Sequence, residues 1–157
     1  MKKYIVLDNL RSVYNVGSIF RTANAAGIDS IILCGTTPTP VDKHGVRRKD
    51  FAKVALGAED TVAWEYIPNT MDALHRLHAE GTYIIAVEQD TRAVDYKTVS
   101  VKEKESVVFV IGPEVDGMTK EVLDACDVIA EIPMLGTKES LNVTIACGIA
   151  LYQILNI

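Results

Sequence analysis

The sequence predicts an α/β domain in which a mostly parallel sheet is flanked by helices, and three observations carry that prediction. Short runs rich in Val and Ile alternate with stretches of helical period, the signature of strands joined by crossover helices. Residues suited to helix caps bound those helical stretches. No repeat, linker or low-complexity tract divides the 157 residues, which are therefore read as a single domain, 1–157. In chain order, Tyr4 to Leu7 reads as a strand and Val16 to Ala26 as a helix closed by Gly27. Strands follow at Ile31 to Cys34 and Val62 to Tyr66. The helix Thr70 to Glu80 has Asn69 as its cap and Gly81 at its end. Tyr83 to Val87 and Val107 to Ile111 are strands, Lys120 to Ala125 is a helix capped by Thr119, and Val128 to Ile132 is a short strand. Leu141 to Leu155 is the closing helix. Gly35 to Thr61 and Glu88 to Ser106 show no clear period and are expected to be functional loops.

Composition excludes several classes. The net charge of -5 argues against a nucleic-acid binder that works by bulk charge, although Lys43, Arg47, Arg48, Lys49 and Lys53 form one basic cluster opposed locally by Asp42 and Asp50. Cys34, Cys126 and Cys147 are odd in number and set among apolar neighbours, so they read as buried thiols in a reducing cytoplasm. Neither a signal peptide nor a membrane span is expected, because the apolar C-terminal run is broken by Asn142, Thr144 and Gln153. His75 and His78 share a helix face without a visible third ligand, so no metal is expected. Trp64 and the scattered tyrosines show no interleaved stacking pattern.

Three stretches could carry chemistry. On a helical wheel Val16, Ile19, Phe20, Ala23 and Ala26 form one face, while Gly17, Ser18, Arg21, Asn24 and Ala25 form the other. Arg21 thus points away from the core, among residues small enough for a ligand or another chain to approach, and Asn15 is the expected N-cap. In "VVFVIGPEVDGMT" a strand delivers Gly112, Pro113, Glu114 and Gly117 to a turn where ligands gather in open α/β sheets. Glu114 would repel a phosphate and suits hydroxyls, an amino group or a cation. In "EIPMLGTKESLNVTIACGIALYQI", Ser140 is the expected cap, and the helix after it is apolar nearly all round. Such a helix must be covered on more than one side, and a second copy of the chain could do so.

The motifs N-x-G-x-x-x-R-T-A from Asn15, G-P-E-x-x-G from Gly112 and I-P-M-x-G-x-x-x-S-L-N-V from Ile132 occur in this order and span nearly the whole chain. With them, and with "ALGAED" at Ala55 to Asp60, the sequence resembles the SpoU (TrmH-type) 2′-O-ribose RNA methyltransferases. The resemblance implies a SPOUT-like α/β fold with a C-terminal deep trefoil knot, contrary to the usual rule against threaded loops. It also implies a homodimer with the active site beside the interface, S-adenosylmethionine as cofactor and tRNA or rRNA as substrate. By the resemblance, Val87, Glu88, Gly112, Ile132 and Leu141 would contact the cofactor, and Arg21, Asn15, Glu114, Ser140 and Asn142 would form the catalytic site. Many members of the family carry additional RNA-gripping segments, so here substrate choice is expected to come from the core's own loops, a partner or the dimer surface.

The residues fit that expectation. A Rossmann-type methyltransferase would carry a glycine motif after its first strand, and this chain has "DNLRSVYNVG" there. Arginine stays protonated, so Arg21 is expected to clamp a phosphate beside the target ribose and favour the alkoxide, while Ser140 or an RNA oxygen takes the proton. The basic cluster from Lys43 to Lys53 is the expected RNA contact. The competing reading is a non-catalytic knotted dimer that binds RNA or the cofactor.

Overall fold

The structure, a computed structural model, describes residues 1–157. Strand β1 (Lys2–Asp8) lies between β2 (Ser30–Cys34) and β6 (Ser106–Ile111). Strand β3 (Ala63–Ile67) forms one edge, and β4 (Tyr83–Val87), β7 (Val128–Glu131) and the two-residue β5 (Val94–Asp95) extend the other side. The order is β3-β2-β1-β6-β4-β7-β5 and every ladder is parallel. A parallel sheet is covered on both faces, which is why its central strands are continuous apolar runs; Val107 to Ile111 are all buried.

Successive side chains alternate between two cores. Ile5 and Leu7 join the larger, under α1 (Val13–Ala25), α2 (Lys49–Ala55) and α6 (Val143–Leu155). Val6 joins the smaller, under α4 (Thr70–Ala79) and α5 (Lys120–Asp124). In the larger core Phe20 meets Phe51 edge to face at 5.3 Å, a geometry worth about 0.5–1.5 kcal/mol beyond area burial. Burial pushes the Cys147 thiol up to about 12, and Cys34 and Cys126 likewise, so all three remain inert free thiols.

Several sequence expectations need correction. The stretch Gly35 to Thr61 contains two helices, α2 and the single-turn α3 (Ala58–Thr61). Helix α2 buries only Phe51 and Ala55, one i,i+4 pair, which is too little repetition to register as a period. Glu88 to Ser106 contains β5 and a 3₁₀ turn at Tyr96–Thr98. Gly17 does not leave space beside Arg21: it is where α2 approaches α1, and a Cβ there would lie 3.0 Å from Val54 Cβ. Asn24 is exposed on the outward face, as the helical wheel places it, and donates from Nδ2 to Thr61 Oγ1 at 2.9 Å. Both helix caps move as well. Ser12, not Asn15, caps α1, accepting from the Asn15 amide at 3.1 Å, and Asn142, not Ser140, caps α6, accepting from the Thr144 amide at 2.8 Å.

Candidate functional site

Parallel strands all end at one edge of the sheet, and the loops leaving that edge enclose a cavity of about 400 Å³. Val87, Glu88 and Gln89 enter it from the end of β4, Gly112, Pro113 and Glu114 from β6, and Ile132 and Met134 from β7. Ser140, Leu141, Asn142, Val143 and Ala146 close it from the start of α6, and Asn15 reaches it from the first turn of α1. Of the catalytic and cofactor residues expected from the sequence, all but Arg21 line this cavity. Gln89, Met134, Val143 and Ala146 were not foreseen as cavity residues. Gln89 lies just past the strand end, Met134 and Val143 lie inside the last motif and Ala146 sits one turn beyond Asn142, so membership of a motif or nearness to a strand end or motif was their only signal.

The two carboxylates of the cavity are tied to backbone amides. Glu88 accepts from the Gln89 amide at 2.9 Å and from the Met118 amide at 3.2 Å, so one side chain holds the turn after β4 against the turn after β6. The glycines permit this closeness: a Cβ on Gly112 would lie 2.5 Å from Met118 Cγ, and one on Gly117 3.1 Å from Glu88 Oε2. Glu114 accepts from the amides of Arg11 and Ser12, each at 3.4 Å, and from Asn15 Nδ2 at 3.2 Å. Relieved of capping, Asn15 is held by Glu114 with its amide at the cavity wall. Ser140 is exposed and carries no capping bond, and the segment before it is moored where Gln89 Nε2 donates to the Glu139 carbonyl at 2.8 Å.

Arg21 lies outside the cavity, on the outward stripe of α1 that it shares with Tyr14, seven residues or about two turns earlier. Beside that stripe α6 packs close, Gly148 lying against Thr22, and its own outer residues are uncovered. Tyr14 is 67% exposed, Ile145 53% and Tyr152 42%, so α1 and α6 together present an apolar face that this chain does not cover.

The basic cluster is less free than its sequence suggests. Arg47 is bound to Glu59 at 2.6 Å and to Asp60 at 2.9 Å, two acids supplied by α3, and the bond to buried Glu59 raises its pKa further. Arg48 pairs with Asp50 at 2.7 Å and holds that carboxyl below its ordinary value. Lys43, Lys49 and Lys53 are exposed and enter none of the ion pairs. No group of three or more His, Cys, Asp or Glu side chains is placed to hold a metal, and no helix is long and apolar enough to cross a membrane.

Residues 2–152 match the family described as SpoU rRNA Methylase. The chain is 32% identical over 149 residues to a 23S rRNA (guanosine-2′-O-)-methyltransferase RlmB of Vibrio cholerae, covering 95% of this chain and 57% of that protein. Among solved structures, an AdoMet-bound rRNA methyltransferase from Sinorhizobium meliloti superposes with a TM-score of 0.87 at 33% identity, over 97% of this chain and 55% of that one. A structure described as giving insight into 2-OH methylation of C/U34 on tRNA superposes with a TM-score of 0.77 at 25% identity, over 99% of this chain and 95% of that one. The chain thus spans little more than half the length of the curated relatives it matches.

Proposed function

The chain belongs to the SpoU rRNA methylase family, and from that premise we propose that it transfers the methyl group of S-adenosylmethionine to a ribose 2′-hydroxyl of tRNA or rRNA. The observation that carries this reading is the convergence of three separated motifs, through Asn15, Gly112, Glu114, Ser140 and Asn142, on one cavity at the strand ends.

The cavity suits the cofactor. Its volume falls within the roughly 300–1,000 Å³ of small-molecule sites. Val87, Ile132, Leu141 and Val143 offer apolar contact for an aromatic base, the strand-end backbone offers amides and carbonyls, and Glu88 and Glu114 offer negative charge to hydroxyls and cations. Val87, Glu88, Gly112, Ile132 and Leu141 would hold the group. Bound there, it supplies an electrophilic methyl carbon, which leaves alignment of the ribose oxygen and exclusion of water to the protein. Asn15, oriented by Glu114, and Asn142 would position the ribose, and Ser140 or an RNA oxygen would accept its proton.

Arg21 would act from a second copy. The uncovered face of α1 and α6 reaches the cavity mouth at Leu141 and Asn142, so a two-fold pairing of that face covers Ile145 and Tyr152 and brings each Arg21 toward the other copy's cavity. There it would clamp a phosphate and favour the alkoxide. The C-terminal segment from Ile132 to Asn142, moored to the loop after β4 by Gln89, is the part that would thread the trefoil knot. RNA would meet the loop carrying Lys43, Lys49 and Lys53, with Arg47 and Arg48 serving chiefly as braces. Work of this kind belongs in the cytoplasm.

Calorimetric titration with S-adenosylmethionine, followed by an assay of methyl transfer to total rRNA and tRNA, tests the proposal. Micromolar binding and transfer of one methyl group to a ribose are expected. Binding without transfer to any RNA would reduce the protein to a non-catalytic module.

A further inference from the structure

A second opening lies at the same edge of the sheet, beyond β2 and β3, as a groove of about 830 Å³. Its floor is Trp64 and Tyr66, two residues apart on β3 and therefore on one face of the sheet. Trp64 packs partly against the larger core, while Tyr66 is 46% exposed with its hydroxyl donating to the Gly35 carbonyl at 2.9 Å. The opposite wall is the loop after β2, which presents Lys43 and His44.

That loop is exposed yet rigidly built. Val41 and Arg47 form an antiparallel bridge, the Asp42 carboxylate accepts from the amides of His44 and Val46 at 2.8 and 2.9 Å, and the Arg48 amide donates to the Pro40 carbonyl. Asp42, Lys43 and Arg48 line the groove together with the two rings; the Asp42 carboxylate is held by the loop's own amides, Arg48 is paired with Asp50, and Lys43 enters no ion pair. This arrangement of an aromatic floor and a cationic wall is what an unpaired nucleotide requires: a surface for its base and a charge for its phosphate.

The groove is also coupled to the cavity. The loop after β2 is stitched to the loop after β1, where the Leu10 amide donates to Thr37 Oγ1 and the Thr36 amide to Asn9 Oδ1, both at 3.1 Å. The far end of that loop is held by Glu114 at the cavity wall. From between β3 and β2 to between β6 and β4 is three strand spacings, or about 14 Å, a distance that a few nucleotides of single strand can cross.

We infer that this groove binds an unpaired nucleotide flanking the methylated ribose, stacking its base on Trp64 and Tyr66 and its phosphate against Lys43, so that it selects single-stranded or loop RNA. The inference rests on the methyl-transfer reading for its substrate but is tested without it. Trp64 is the chain's only tryptophan, so its emission reports on the groove directly. Titrating the cofactor-free protein with a mixed-sequence single-stranded RNA heptamer should quench Trp64 saturably, and a duplex of equal length should quench it far less. Tyr66→Ala should weaken the heptamer about 5- to 150-fold, the range expected for losing one base–aromatic stack, and Tyr66→Phe should retain most of the affinity. Lys43→Ala should lower the salt slope of binding by about 0.7. A Trp64 silent to single-stranded RNA, or equal affinity in Tyr66→Ala, would overturn the inference and leave the groove to a protein partner. If S-adenosylmethionine binds and is used while Trp64 stays silent, the groove fails alone. If Trp64 responds while no S-adenosylmethionine binds, the methyl-transfer reading fails and the groove stands.

Discussion

At the cavity beyond β4, β6 and β7 the charged side chains are bound to backbone amides, Glu88 to Gln89 and Met118 and Glu114 to Arg11 and Ser12. In the groove beyond β2 and β3 the loop is braced by its own hydrogen bonds, and Lys43 and His44 are left exposed at its tip. The first arrangement spends charge to fix the positions of loops, as a site needs when it must align two reacting atoms. The second spends backbone bonds to hold charge in solvent, as a surface needs when it must attract a polyanion. One edge of one sheet thus supports a rigid site and an electrostatic one, and each should fail in its own way.

The largest effect is expected where neither region is touched directly. Arg21→Ala should lower methyl transfer by about 10² to 10³ while changing stability by no more than about 0.5 kcal/mol, since the residue is exposed and fills no part of the core. Cofactor titration and thermal unfolding of the same preparation check both halves, and near-normal activity would remove Arg21 from the mechanism. Gly112→Ala comes next. The new Cβ must displace Met118 and with it the turn that Glu88 holds, at about 1–3 kcal/mol of stability, and cofactor affinity should fall while the salt slope of RNA binding does not.

Ile145→Arg tests the uncovered face. It should convert the proposed dimer to a monomer in sedimentation at micromolar concentration, with the fold retained because that side chain is 53% exposed. A variant that stays dimeric would place the interface elsewhere. The smallest change separates the basic residues. Lys53→Ala should reduce the RNA salt slope by about one unit with no loss of stability. Arg47→Ala should lower the melting temperature more than it lowers the slope, because it leaves Glu59 buried without its cation. Equal behaviour of the two would erase the distinction between brace and contact.

How much of this was legible in the chain depended on the range of the interaction. Alternation of apolar runs with helical period, the caps Asn69 and Thr119, and the buried thiols Cys34 and Cys147 are local properties, and the structure has them where the sequence places them, within a residue or two for most elements, while Cys126 is only half-buried. The order of the motifs also identified the family, because the motifs are linear strings.

What a residue does once its local duty is assigned was not legible. Asn15 and Ser140 look like caps in sequence, yet Ser12 and Asn142 fill those duties, and only the approach of Glu114, 99 residues away, engages Asn15. Gly17 looks like room for a ligand and is instead the contact point of two helices. Arg47 looks free because its partners Glu59 and Asp60 arrive from another helix, and Trp64 looks isolated because the loop facing it comes from across β2. Hydrophobic period and capping are set by neighbours within a few residues and are written into the chain itself. Charge pairing, close approach and the walls of a cavity are set by distances between elements, which exist only once the strands have taken their order in the sheet.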